Sequence, residues 1–212
     1  MSNVHSSDLA LIAKGLGETA QAFSGKKILL TGGAGFLGRY FTSTFQHLNQ
    51  SVLERPCSVL AVDNLITSEA PKFAGDGNVR FETCDVTKPF ANRDRYDFVI
   101  HAAGIASPFY YRAHPLETLD VAITGTRNML ELAAECRAKL LFFSSSEIYG
   151  DPDPSEVPTK EEYRGNVASL GPRACYDESK RLGETLCYIF HNQGMADARM
   201  VRPFNVFGPG MK

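Results

Sequence analysis

A chain of 212 residues, 43% hydrophobic and 22% charged, is long enough to bury one sizeable core and too apolar to remain disordered or fibrous. Its formal net charge of −2 and isoelectric point near 6.2 exclude the basic field that nucleic-acid binding demands. Five cysteines, odd in number, scattered and without a C-x-x-C spacing, argue against a disulfide framework or a zinc site, so reduced thiols in an intracellular protein are expected.

No basic start precedes a long apolar run, and no apolar segment reaches the length of a membrane span, so a soluble, cytoplasmic protein with no membrane partner is expected. The opening "SSDLALIAKGLGETAQAF" instead places Leu9, Ile12, Leu16, Ala20 and Phe23 at helical spacing behind a Ser-Ser-Asp cluster that can cap a helix. Residues 1–25 are expected to be a helical extension packing on its own domain or a partner subunit, because Lys14 is the only basic residue of that amphipathic segment.

From Lys26 onward, apolar runs of strand length alternate with longer amphipathic stretches, the pattern of a parallel sheet covered by helices. The runs are "KKILLTGG", "SVLAVDN", "VRFETCD", "DFVIHAAG", "KLLFFSSS" and "ARMVRPFNVFG", which predicts six strands. Crossover helices are predicted in "FLGRYFTSTFQHL", with Leu37, Phe41, Phe45 and Leu48 on one stripe, and in "PLETLDVAITGTRNMLELAAEC". The Pro-, Asp- and Glu-rich "GDPDPSEVPTKEEYRGN" predicts an exposed loop after the fifth strand. The expected fold is α/β, a Rossmann-type doubly wound parallel sheet with helices on both faces over residues 26–212.

Where the first strand gives way to helix, "TGGAGFLGRYF" repeats Gly32, Gly35 and Gly38 at every third residue. Glycine permits a tight turn and close backbone approach, and a helix N-terminus then offers unpaired N–H groups to a pyrophosphate. The second strand ends in Asp63, whose carboxylate can accept from a ribose diol and repel a 2′-phosphate, which favours NAD over NADP. Asp85, at the end of the third strand, can reach an adenine amino group, although either aspartate is also an ordinary turn residue.

In "GPRACYDESKRLGET", Tyr176 and Lys180 lie four residues apart on one helical face. In isolation such a pair is a surface contact of a few tenths of a kcal/mol. Beside a cofactor cleft it becomes chemistry. A free phenol has a pKa of about 10, and a cation about 4 Å away is worth up to about 4 kcal/mol at an effective dielectric of 20, so Lys180 can lower Tyr176 toward use as a general base.

"TGGAGFLG", Asp63, "CDV", "HAAG", "SSSEIYGDP", "YDESK" and "RPFNVFGPG" occur in the order and approximate spacing of the extended short-chain dehydrogenase/reductase family, which residues 26–210 resemble. Within it, "SSSEIYGDP", "GPRACYDESKR" and "FNVFGPGM" look most like the UDP-glucuronate decarboxylases. The resemblance implies NAD held by Gly32, Gly35, Phe36, Leu37, Gly38, Asp63, Asn64, Asp85, Val86, Ala102, Ala103, Gly104 and Pro203, with Tyr176 and Lys180 at the nicotinamide end. His101 opens that fourth-strand wall; on its own it reads as a core histidine.

The resemblance further implies a UDP-sugar substrate, with Ser145 hydrogen-bonding the sugar 4-oxygen, Ser146 and Glu147 facing C5 and its substituent, and Asn205 near the pyrophosphate. Ser146 stands where 4,6-dehydratases carry an acid, and Glu147 argues against a 4-epimerase. A homodimer through residues 115–136 and the Tyr176 helix is also implied. Ala122, Arg164, Asn166 and Gly210 depart from the decarboxylase pattern, and the chain stops at Lys212, where a typical member continues into a smaller substrate domain. A catalytically silent NAD-binding module is the alternative from another class. Retention of Ser145, Tyr176 and Lys180 together argues against it.

Overall fold

The computed structural model describes residues 4–71, 77–90 and 94–211, so the first three residues of the extension and Lys212 lie outside the described residues. Strands β1 (Lys27–Thr31), β2 (Ser58–Asp63), β3 (Val79–Thr83), β4 (Phe98–His101), β5 (Lys139–Phe143) and β6 (Asp197–Val201) form one sheet in the order β3-β2-β1-β4-β5-β6. All five pairings are parallel. The six apolar runs supply the six strands. The last run was expected to continue through Gly208; β6 instead stops at Val201, two residues before Pro203, which has no N–H to extend the ladder.

A parallel sheet must be covered on both faces, and β1 shows how its side chains divide. Ile28, Leu29 and Leu30 are all fully buried. Leu29 points into a core with Met129, Leu130, Leu140 and Phe190, while Ile28 and Leu30 point into one with Phe45, Leu48 and Val59. The first core is closed by α5 (Thr126–Cys136) and α6 (Ala174–Asn192), the second by α2 (Phe36–Ser51).

The extension is part of the second core. Helix α1 (Ser6–Leu16) gives way at Gly17, φ +53°, to a 3-10 segment, Gly17–Phe23, where one continuous helix was expected. Ala20 is fully buried, and the Phe23 ring lies 5.3 Å from Phe45 and 5.2 Å from Phe98. Tyr40 donates its hydroxyl to Asp8 at 3.3 Å. The extension therefore packs on its own domain.

The second crossover is interrupted rather than continuous. After α3 (Pro108–Ala113), α4 (Pro115–Asp120) runs through a π-helical turn, Val121–Gly125, into α5. A Cβ on Gly125 would come within 2.9 Å of Val86 Cγ2, so this turn passes hard against the chain that follows β3. Ala122 lies in that turn, the kind of local widening that concentrates at functional sites. Because β1 neighbours both β2 and β4, the chain winds away in two directions and leaves a crevice at the strand carboxyl ends.

Candidate functional site

Gly32 adopts φ +72°, and a Cβ there would stand 2.7 Å from the Ala102 carbonyl oxygen. A Cβ on Gly38 would collide with the Gly32 oxygen, so the first turn of α2 is pressed directly onto the loop that precedes it. Gly35 donates to Gly32 at 3.1 Å and caps α2, whose first N–H groups have no partner within the helix. The donor-rich cradle fits a pyrophosphate, and its close contacts exclude any side chain at Gly32 or Gly38.

Two lobes open from this cradle. The smaller, about 250 Å³, is lined by Asp63, Asn64, Asp85, Val86, Ala102 and Ala103. The Asp63 carboxylate accepts from Ala34 N at 3.1 Å, from Leu65 N at 2.9 Å and from Ser68 Oγ at 3.3 Å. It ties the glycine turn to the end of β2 as a turn residue does, and it also lines the lobe. Asp85 Oδ1 accepts from the Thr87 amide and hydroxyl at 2.9 and 2.8 Å, a turn that commits one of its oxygens.

The larger lobe, about 610 Å³, is lined by Phe36, Leu37, Gly38, Gly104, Ser145, Ser146, Glu147, Tyr176, Lys180, Pro203 and Asn205. Gly210 lines it as well, whereas Arg164 and Asn166 are not among its lining residues. Backbone pairing carries the strand ends here: Ser144 N donates to Val201 O at 2.9 Å and Ser146 N to Pro203 O at 3.0 Å. The Ser145 hydroxyl accepts from Glu147 N at 3.3 Å and lies close enough to the Tyr176 phenol to act on its proton affinity. Thus the Ser-Ser-Ser-Glu strand end and the Tyr-x-x-x-Lys helix share one wall.

Tyr176 is buried and stacks on Tyr111, ring centroids 5.2 Å apart and 10° from parallel. Burial pushes its phenol above the ordinary value; the Ser145 hydroxyl opposes this, and the charges of Glu147 and Asp177 add to it. Lys180, which is expected to lower it, places its ammonium 5.8 Å from the Tyr176 ring centroid while donating to the Phe143 carbonyl at 2.8 Å, and burial brings its own pKa down to about 8. Gly104 makes room for it, since a Cβ there would lie 3.2 Å from Nζ.

His101 is buried and held on both nitrogens, with Thr31 Oγ1 at 2.7 Å from Nδ1 and Thr126 Oγ1 at 3.0 Å from Nε2. Burial, with Lys180 nearby, holds it neutral with a pKa of about 3. Ala103 N donates to Thr31 Oγ1 at 3.1 Å, so the histidine braces the wall of the cleft from behind. It is the satisfied core residue that a lone histidine in an apolar strand suggests.

Sequence reasoning missed Arg173, which lines the larger lobe and forms an ion pair with Glu147. It also missed Tyr111 and the two threonines. The only local signal was the position of Arg173 one turn ahead of Asp177 on the helix that carries Tyr176.

Residues 28–212 match the NAD dependent epimerase/dehydratase family, and the chain belongs to it. UDP-glucuronic acid decarboxylase 1 of Xenopus tropicalis is 41% identical over 189 residues, which is 88% of this chain and 42% of that relative. The solved epimerase of Methanothermobacter thermautotrophicus is 27% identical with a TM-score of 0.75, over 90% of this chain and 55% of its own. The UDP-N-acetylglucosamine 4-epimerase of Methanobrevibacter ruminantium is 26% identical with a TM-score of 0.70, over 88% and 57%. The chain thus spans about two fifths of the curated relative's length. The expected cofactor, NAD, is the one that the family's description names. Among the described residues no helix is long and apolar enough to cross a membrane.

Proposed function

We propose that this member of the NAD dependent epimerase/dehydratase family carries the cofactor site and catalytic groups of a UDP-glucuronate decarboxylase. The observation that supports it is the convergence of Ser145, Glu147, Tyr176 and Lys180 on one cleft beside the glycine cradle. NAD would be held by the glycine cradle together with Asp63, Tyr176 and Lys180, and would supply a hydride acceptor and donor for the sugar C4. The residues do the rest. Ser145 holds the 4-oxygen against Tyr176, which takes its proton, and Lys180 provides the positive charge that offsets the cost of a buried phenolate.

A ketone at C4 makes the C5 carboxylate a β-keto acid, whose loss of carbon dioxide leaves an enolate delocalised onto the 4-oxygen that Ser145 and Tyr176 hold. C5 of the enolate takes a proton from water, which restores the 4-ketone, and Tyr176 returns its own proton to the 4-oxygen when that ketone is reduced again. Ser146 is not an acid, so it cannot protonate a leaving hydroxyl at C6, which weighs against a 4,6-dehydratase. Identity of about 40% to several decarboxylases supports the same choice.

The resemblance puts the uracil pocket and the arginine for the sugar carboxylate in a substrate domain after Lys212, so the reading is tested by incubating a form that carries such a domain with NAD and UDP-glucuronate and following carbon dioxide. Release is expected. Epimerisation of another UDP-sugar without carbon dioxide would overturn the substrate assignment, and NAD binding without turnover of any UDP-sugar would make the chain a silent module. We also infer a homodimer, supported by the exposed Leu116, Ile123, Leu182 and Ile189 on α4, the π-helical turn and α6. Light scattering that shows only monomer at high concentration would overturn it.

A further inference from the structure

Glu147 follows β5 on the 3-10 turn Ser146–Tyr149, and Arg173 is the N-cap of α6. Their side chains form an ion pair across 26 residues of sequence. One helical turn beyond Arg173, Asp177 is 8% exposed and its Oδ1 has no hydrogen-bond partner among the described residues. Arg173 Nη2 stands 3.8 Å from that oxygen, an electrostatic neighbour too distant to donate to it.

A buried carboxylate oxygen without a donor is costly, and a guanidinium carries five N–H groups in a fork. Positions 173 and 177 share a helix face, so closing the gap by the roughly 1 Å needed for a charge-assisted hydrogen bond takes a side-chain rotation and no backbone movement. Burial, Glu147 and Glu178 push the Asp177 carboxyl up, while Arg173 opposes them. One cation therefore stands between two carboxylates and is bonded to one of them.

We propose that Arg173 is a positioning residue that exchanges between Glu147 and Asp177. Paired with Glu147 it holds that carboxylate against the start of α6; turned onto Asp177 Oδ1 it releases Glu147 into the cleft toward bound sugar. Glu147 and Asp177 both act on the Tyr176 phenol, so the exchange also alters the field at the proposed base. The proposal rests on the decarboxylase reading only for what Glu147 meets once released.

The test is a titration of the Asp177 side-chain carboxyl by carbon-13 NMR on the 212-residue chain without substrate, the resonance being assigned by its loss in Asp177→Asn. Glu147→Gln should free the guanidinium and lower the Asp177 midpoint by at least about one pH unit. In an Arg173→Gln background the same Glu147→Gln change should move it far less, since only the lost repulsion remains. Equal shifts with and without Arg173 would overturn the exchange. A crystal structure of Glu147→Gln is a second, independent measurement that does not need Arg173→Gln to fold. Arg173 within hydrogen-bond distance of Asp177 Oδ1 is expected, and a guanidinium left where it is now overturns the proposal. Because no sugar is present, failure of the carbon dioxide assay leaves this outcome unaffected.

Discussion

The Lys180 ammonium donates to the Phe143 carbonyl at 2.8 Å and sits 5.8 Å from the centre of the Tyr176 ring, 5.4 Å from that of Phe142. A cation buried between two aromatic rings and one carbonyl is held near the phenol at a cost to the fold. Its pKa falls from 10.5 to about 8, so below pH 8 the folded protein carries a charge that burial disfavours.

Between about pH 8 and 10.5 the unfolded chain binds the proton that folded Lys180 has lost, so this residue's contribution to stability rises with pH by about 3 kcal/mol. Burial raises Cys187 to about 12, which acts in the opposite direction above its ordinary value of 9.0. Denaturant melts of the unmodified chain and Lys180→Met at pH 7 and pH 10 separate the two. The variant should gain on the unmodified chain at pH 7 and lose that gain by pH 10. A pH-independent difference would show that Lys180 is solvated.

Tyr176→Phe keeps the ring that stacks on Tyr111 and removes only the hydroxyl on which Ser145 acts. Stability should change by about 1 kcal/mol or less. In a form that turns over, the oxidation step should slow by roughly 10²–10⁴, the usual cost of losing a general base, with NAD affinity little changed. Carbon dioxide release at the unmodified rate would remove Tyr176 from the mechanism.

The glycines are not equivalent, and alanine replacements should rank them. Gly38→Ala collides with the Gly32 oxygen and meets the Gly33 Cα at 2.7 Å, both backbone atoms, and should cost at least about 1–3 kcal/mol and abolish NAD binding. Gly15→Ala, within α1, where an added Cβ meets no other part of the described residues within 4 Å, should stabilise by roughly 0.5–1 kcal/mol. Thermal melts with and without NAD measure both. Equal effects at the two positions would mean that the cradle is looser than its contacts imply.

Asp63→Ala removes an acceptor from two backbone amides and a hydroxyl. About 1–3 kcal/mol of stability should go, and the preference for NAD over NADP should shrink because the charge facing a 2′-phosphate is gone. Calorimetry with both cofactors checks this. An unchanged ratio would confine Asp63 to bracing the turn.

Much of this architecture is written in local pattern. Strands buried on both faces read as short continuous apolar runs, the cradle as glycines at every third residue, and Tyr176 with Lys180 as one helical turn, because each depends on neighbours a few residues apart. Segment ends were less legible: Gly17 divided the extension, Pro203 shortened the last strand, and the close approach of Gly125 to Val86 sits within a π-helical turn that amphipathic spacing does not encode.

What only the tertiary structure decided are relationships between distant segments. His101 is fixed by Thr31 across 70 residues, Lys180 by Phe143 across 37, and Glu147 by Arg173 across 26. Burial then set the proton affinities, making His101 a neutral brace and bringing the Lys180 pKa down to about 8. The amino-acid order names the groups proposed to carry the chemistry, but desolvation and pairing depend on which surfaces meet. Those terms exist only once the chain has folded.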